Sequence, residues 1–410
     1  MKRFIALLLL SILLLSAAPL SFATESGFDI DYSDTVDWNK FRGLGITLNV
    51  YNWGEYISVD DGEDGAFDVI AEFEKLTGID VVYSTFSTNE ELYAKLKMGG
   101  GSQYDVIIPS DYMVSRMINE GMLAKLNYDN IPNAEHIRED LRTAISDTAA
   151  EYSVPYLWGI VGIIYNTTLV DPEDDVHTWD ILWNEKYANN ILMFQNSRDT
   201  VGIALKRLGY SFNTTNEDEI RHAAQTLVDQ KPIVQAYVMD EIFDKMIGGE
   251  AALAPYYAGD AIVMMEDNPD LAFAVPAEGT NLFIDSMCIP ANSKNKEAAE
   301  LFIHYMCETL VALKNTEYVG YATPHTEAFT YLDEEMQTSV TYPSDEVLEK
   351  AEAFTALPPA TTSLLDSLWT DILSSGVSSP WMTPVFMGIC IALTIGINAF
   401  KRQKKKRTSF

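Results

Sequence analysis

The chain has 410 residues, 47% of them hydrophobic and 21% charged, which excludes a disordered chain and leaves room for two ordinary domains. Acidic residues outnumber basic ones 60 to 28, for a formal net charge of −32. That balance argues against nucleic acid as a partner and is compatible with a cationic ligand, although solubility alone could account for it.

Met1-Lys2-Arg3 precedes an apolar run from Phe4 to Pro19, and Ser21-Phe22-Ala23 supplies a small-x-small cleavage site. Residues 1–23 are therefore expected to be a secretory signal peptide, outside the fold. A polar leader follows. Ile46, Leu48 and Val50 then alternate with Thr47 and Asn49, which predicts a strand. Tyr51-Asn52-Trp53-Gly54-Glu55-Tyr56 comes next and reads as the loop at its end. Open α/β sheets place ligands at such strand ends. Two aromatic faces beside a carboxylate suit an organic cation with an apolar body, and the same rings would also serve as core. The acidic run over 60–65 lacks the ligand spacing of a calcium loop and reads as a solvated turn.

Helical spacing over 67–76 closes at Gly78, and a strand is predicted over 79–83. Thr88 or Asn89 caps a helix ending at the glycines 99–101, a strand runs over 105–109, and Ser110-Asp111 caps a helix to Gly121. This alternation predicts a parallel sheet with helices on its faces. Val154-Pro155-Tyr156-Leu157-Trp158-Gly159 leads into a strand over 160–165, with Pro155 and Gly159 as hinge-flanking positions, and the first domain crossing is placed here. A short helix is expected over 179–183 and a strand over 191–194, followed by Asn196, Asp199 and an apolar helix to Gly209. Helices over 217–228 and 240–247, a strand over 251–257, a helix opened by Gly259-Asp260, strands over 273–276 and 282–290, and helices over 296–307 and 310–318 complete the alternation.

A Ser/Gly-rich tether is expected over 374–380, and residues 381–400 carry no charge before the basic tail 401–410. That length and tail predict one C-terminal transmembrane helix with its tail in the cytoplasm and the rest on the extracytoplasmic side. The two terminal segments hold eight of the 28 basic residues and no acid, so the part between carries 20 basic against 60 acidic residues. Cys288 and Cys307 sit among apolar neighbours and are expected as buried free thiols; Cys390 falls in the membrane segment.

Strand ends in both halves of the chain repeat one chemistry, an aromatic with an acid or small polar group: Trp53 and Tyr56, Ser110 with Tyr112, Asn196 with Asp199, Tyr257 with Asp260, Phe283 with Asp285, and Tyr321. Catalytic equipment is sparse. Of the five histidines, His222 and His304 fall in helices and read as surface or interface residues. No hydrolase elbow, zinc helix, phosphate loop or metal spacing is present, so no catalytic residue, cofactor or metal is expected.

Six stretches resemble the extracytoplasmic spermidine/putrescine-binding proteins of ABC transporters. They are Tyr51 to Tyr56; Tyr83-Ser84-Thr85-Phe86 with Asn89-Glu90 and Tyr93-Ala94-Lys95-Leu96; Tyr104 to Ser110; Val154 to Gly159; Asp285 to Asn292; and Gly320 to Pro324. They run in the family's order over roughly residues 45–355. The resemblance implies a two-lobed, type II periplasmic-binding-protein fold, each lobe α/β, with lobe 1 over 45–158 plus 285–329 and lobe 2 over 159–284 plus 330–373. It implies that Trp53, Tyr56, Ser110, Tyr112, Asp285 and Tyr321 contact ligand. Tyr257 and Phe283 stand where the family often has tryptophan, Asn196 where a carboxylate is frequent, and Asp199 where glutamate is common; no counterpart of a family glutamine is evident near Phe354. The implied function is capture of a polyamine in the interlobe cleft and delivery to a permease and, through it, an ATPase. A same-fold receptor for another organic cation or an amino acid is the alternative, and a membrane-anchored glycan-active enzyme a more distant one.

Overall fold

The computed structural model describes residues 32–60, 67–144 and 148–375. The expected signal peptide, most of the acidic run, most of the tether, the transmembrane helix and the basic tail lie outside the described residues. Among the described residues, no helix is long and apolar enough to cross a membrane.

Among the described residues, ten strands form the framework: β1 (Thr47–Trp53), β2 (Asp80–Phe86), β3 (Val106–Ile107), β4 (Ser153–Asn166), β5 (Ile191–Phe194), β6 (Val234–Val238), β7 (Leu253–Tyr257), β8 (Leu271–Ala274), β9 (Asn281–Cys288) and β10 (Glu352–Ala353). Their order is β2-β1-β3-β9-β4-β7-β5-β6, with β10 on β9 and β8 on β4. Helices pack against this framework, giving the expected α/β class.

β4 and β9 are the spine. The first half of β4 pairs antiparallel with β9 from Ser153 to Ile160, and its second half pairs with β7 from Val161 to Tyr165. Thirteen of its fourteen residues are buried, which explains why the sequence reads as one apolar run. The strand starts well before the expected position, and Pro155 lies inside it. The register shifts between Pro155 and Leu157, and such an irregularity is where a sheet tolerates a residue without an N–H.

The expected parallel sheet is found only in part. β1 runs parallel with β2 and β3, and β5 with β6 and β7. The central pairings β3–β9, β4–β9, β4–β7 and β4–β8 are antiparallel. The chain leaves one group of strands along β4 and returns along β9, so these two long neighbours run in opposite directions.

Local signals hold where a side chain specifies them. Asp68 caps helix Val69–Thr77 by accepting from Ala71 N, and Gly78 ends it at φ 71°. Thr88 caps helix Asn89–Lys97. β1 reaches Trp53, three residues beyond the expected end, so only Gly54 and Glu55 turn away before Tyr56. The short helix expected over 179–183 is a 3₁₀ segment. β6, β10 and helix Pro359–Ser374 had no expected counterpart. Helix Pro359–Ser374 covers the helix pair Ser197–Arg207 and Glu217–Gln230, with Lys231 Nζ donating to Ile372 O at 2.8 Å. Cys288 and Cys307 are buried and free. His304, expected at the surface or an interface, is fully buried, stacks on Trp38 at 5.2 Å and accepts the Asn133 N–H on Nδ1. Burial lowers its pKa to about 4, so it is neutral.

Gly162 shows how closely β4 is packed: a Cβ there would lie 2.3 Å from the Phe273 ring and 2.7 Å from Ala274 O. The carbonyl is backbone and cannot yield. Gly162→Ala is expected to cost ~2 kcal/mol of unfolding free energy in a denaturant titration, by overpacking.

Candidate functional site

The strand ends converge on one cleft. All ten side chains expected at the site line it. Trp53 comes from the end of β1 and Tyr56 from just beyond. Ser110 and Tyr112 stand at the start of helix Asp111–Asn119, which follows β3, and Asn196 and Asp199 at the start of helix Ser197–Arg207, which follows β5. Tyr257 ends β7, Phe283 and Asp285 lie in β9, and Tyr321 follows Gly320, the left-handed cap of helix Thr309–Val319.

Asp285 is the best-defined charge. It is 5% exposed, its Oδ1 accepts from Ser110 Oγ at 2.6 Å, and its Oδ2 accepts from the Tyr56 hydroxyl at 2.8 Å. Tyr56 is itself held: its carbonyl accepts from Tyr156 OH at 2.7 Å and Asn52 Nδ2 at 3.3 Å. Both donors to Asp285 are neutral, so its negative charge has no cation beside it. Desolvation raises its pKa to about 6, against the two hydrogen bonds, which favour the ionised form.

Asp199 repeats the pattern. Tyr257 OH donates to its Oδ2 at 3.2 Å, and burial lifts its pKa to about 6. Asn196 caps that helix, its Oδ1 accepting from Asp199 N at 2.8 Å, while its amide NH₂ meets Met239 Sδ at 3.9 Å; a side-chain hydrogen bond from Asn196 also favours the ionised form of Asp199. An aromatic row links the two acids: Tyr56 and Tyr321 meet edge-on at 4.8 Å, Tyr321 and Phe283 at 6.0 Å, and Phe283 and Tyr257 at 5.2 Å. Gly259 allows Tyr321 into this row, since a Cβ there would sit 2.1 Å from the ring.

The structure adds acids that the ten residues omit. Glu90 lines the cleft and accepts from Tyr112 OH at 2.9 Å; its pKa is raised by burial. Asp240 and Asp260 line it as well, together with Glu55. Burial raises Asp260 to about 8, a hydrogen bond from Tyr321 opposing and the charges of Asp240 and Glu55 reinforcing. Glu55 holds φ at 46°, a left-handed conformation unusual for glutamate, where the chain turns off β1. Asp240 packs close on Gly54, so close that a Cβ there would lie 2.5 Å from its Oδ2. Asp260 was visible in the sequence as a strand-end acid; Glu90 lay in a stretch that resembles the family but was not singled out as a site residue, and Asp240 was read only as the start of a helix. Phe354 also lines the cleft, edge-on to Tyr112 at 5.9 Å.

Among the described residues, six carboxylates line this cleft and no lysine, arginine or histidine does. The nearby cation is Arg198, buried behind the aromatics, 4.4 Å over Phe354 and donating to Phe212 O, Asn213 Oδ1 and Thr355 O. No cluster of metal-ligating side chains occurs among the described residues. Buried carboxylates alternating with aromatic faces can hold ammonium groups joined by an apolar spacer.

Residues 68–368 match the family model described as bacterial extracellular solute-binding protein. A spermidine/putrescine-binding periplasmic protein of Salmonella typhimurium is 35% identical over 307 residues, covering 75% of this chain and 86% of that protein. The putrescine-binding periplasmic protein SpuD of Pseudomonas aeruginosa is 28% identical, covering 80% of this chain and 92% of that protein. Among solved structures, the spermidine/putrescine ABC transporter substrate-binding protein PotD of Streptococcus pneumoniae superposes with a TM-score of 0.66 at 35% identity, over 80% of this chain and 98% of that one. The chain belongs to the bacterial extracellular solute-binding protein family and is a binding protein rather than an enzyme.

The raised carboxyl pKa values fix the sign of a stability trend. A folded state that holds protons more tightly than the unfolded chain loses stability as pH rises, here from the usual carboxylate range near ~4 up through the Asp260 value of about 8. Asp260→Asn is expected to raise the thermal midpoint of the ligand-free protein at pH 9 and to leave it unchanged at pH 4, as read by calorimetry.

Proposed function

We propose that this solute-binding protein captures polyamines, of the spermidine/putrescine class, in a cleft between two lobes and delivers them to an ABC-type permease. One lobe is assigned to residues 45–158 with 285–329 and the other to 159–284 with 330–373, with hinge closure over the ligand. The observation that carries the reading is Asp285: a buried carboxylate held only by neutral donors, at the foot of an aromatic row. An ammonium group supplies the missing counter-charge, and methylene spacers lie against Tyr321, Phe283 and Tyr257. The names of the relatives in Salmonella typhimurium and Streptococcus pneumoniae support the same class. The acids fall into three stations, Glu90 with Asp199, Asp285 alone, and Asp240 with Asp260 and Glu55, a spread that suits a chain of two or three cationic groups.

The rival ligand, an amino acid, fits less well. Its carboxylate would enter a cleft lined by six carboxylates and no basic side chain. Another organic cation with an apolar body satisfies the same groups and is the competitor that experiment separates.

The sequence supports a tethered arrangement outside the cytoplasm. Residues 1–23 would direct export, and residues 381–400 with the basic tail 401–410 would anchor the receptor beside its permease, raising its effective concentration there.

Isothermal calorimetry of residues 24–375 with putrescine, spermidine and spermine tests the ligand. Binding of at least one is expected, and no heat from any of the three removes the polyamine reading. Asp285→Asn is expected to weaken that binding by at least about tenfold, because it leaves a buried ammonium without its charge partner. An unchanged dissociation constant would move Asp285 out of the site.

A further inference from the structure

Asn89 is the first residue of helix Asn89–Lys97 and is 5% exposed. Its two polar atoms both meet Ser110. The backbone N–H of Ser110 reaches Asn89 Oδ1 at 3.1 Å, and Asn89 Nδ2 faces Ser110 Oγ at 3.0 Å. A backbone N–H can only donate, so the atom it meets must be the amide oxygen, and the amide's orientation is fixed by chemistry. The NH₂ then can only donate to Ser110 Oγ. With a lone pair of that hydroxyl occupied, its single proton is left for Asp285 Oδ1, 2.6 Å away. Were the hydroxyl turned the other way, it would present a lone pair to a carboxylate that is already buried.

We propose that Asn89 is a positioning residue that commits the Ser110 hydroxyl proton to Asp285 and so keeps Asp285 an ionised acceptor, oriented for an ammonium group; the ammonium part rests on the polyamine reading above. Asn89 sets the direction of the relay, Ser110 transmits it, and Tyr56 donates independently to the other carboxylate oxygen. Asp285 then has two neutral donors, one on each oxygen, and lone pairs still free on both. Asp285 also faces the charge of Asp199 across the cleft, and Asp111 at the head of the next helix feels the charge of Asp285. Neither of them is a hydrogen-bond partner of the relay.

The test is Asn89→Asp. Aspartate keeps the shape of asparagine and still accepts the Ser110 N–H, and the helix N-terminus offsets part of the cost of burying its charge. It replaces the NH₂ donor by an oxygen that competes for the Ser110 proton. Carbon-13 carboxylate titration of the ligand-free protein, residues 24–375, reads the Asp285 midpoint directly, against about 6 in the wild type. An upward shift of about one unit or more is expected. The added charge at position 89 would itself raise the midpoint, so the same substitution is made in a Ser110→Ala background. If the relay operates, the shift falls to less than half there; a shift that keeps half or more of its size in the Ser110→Ala background, or none in either, overturns the proposal. Spermidine calorimetry on the same proteins separates the two readings. A wild-type protein that gives no heat with spermidine removes that ligand, while the titration still decides the role of Asn89.

Discussion

A buried carboxylate with no cation beside it is the constraint around which the molecule is arranged. Asp285 sits in β9, the strand that pairs with both β3 and β4, so the charge is placed where the two groups of strands meet. A loop could not hold it there. Its two donors come from residues far away in sequence, Tyr56 and Ser110, and each is fixed from behind: Tyr56 by Tyr156 and Asn52, Ser110 by Asn89. The hydrogen bonds favour the ionised form and desolvation opposes it, leaving the group poised to take a cation. A surface aspartate would make a weaker contact, because water would screen it.

The same logic extends along the cleft. Asp199 and Asp260 are buried acids whose ionisation burial opposes, and the aromatic row from Tyr56 to Tyr257 runs between their stations. Local rules are relaxed at this site, with Glu55 in a left-handed conformation and Gly54 and Gly259 each leaving space that a side chain would fill. These positions carry cost for the empty fold, as expected when a site is built for a ligand rather than for stability. Arg198 is the counter-example nearby. Its guanidinium is hydrogen-bonded to the Phe212 and Thr355 carbonyls and Asn213 and lies over the Phe354 face, holding the segment around Phe354, while its charge favours the ionised forms of Asp199 and Glu90 from behind.

Much of this was legible from local chemistry, and the reasons differ between elements. The Thr88 cap and the Gly78 stop are short-range devices that act within one turn, so their residues announce them, and the Asp68 cap, which the sequence reading did not name, is of the same kind. The aromatic and polar residues after each strand were legible because a strand end is where this architecture exposes side chains. β6 was not legible: it is only half buried, and its alternation is weak. Nor was the burial of His304, whose helix face is covered by Trp38 from the segment ahead of β1.

The sequence by itself determined the α/β class, the position of most helices and strands, the acidic balance, and ten residues that come to line one cleft. The opening of that cleft, Trp53 to Tyr56, was recognisable as two aromatics around an acid. The tertiary structure decided what it takes long-range packing to fix. It set the antiparallel course of β4 and β9, where periodicity is silent about direction. It brought Glu90 and Asp240 to the cleft, acids whose surroundings come from other elements, beside the strand-end acid Asp260. It also made Tyr56 a donor to Asp285, 229 residues away, while leaving Glu55 on the cleft rim. A strand pattern records which side chains alternate; only the fold determines which charges share a desolvated space.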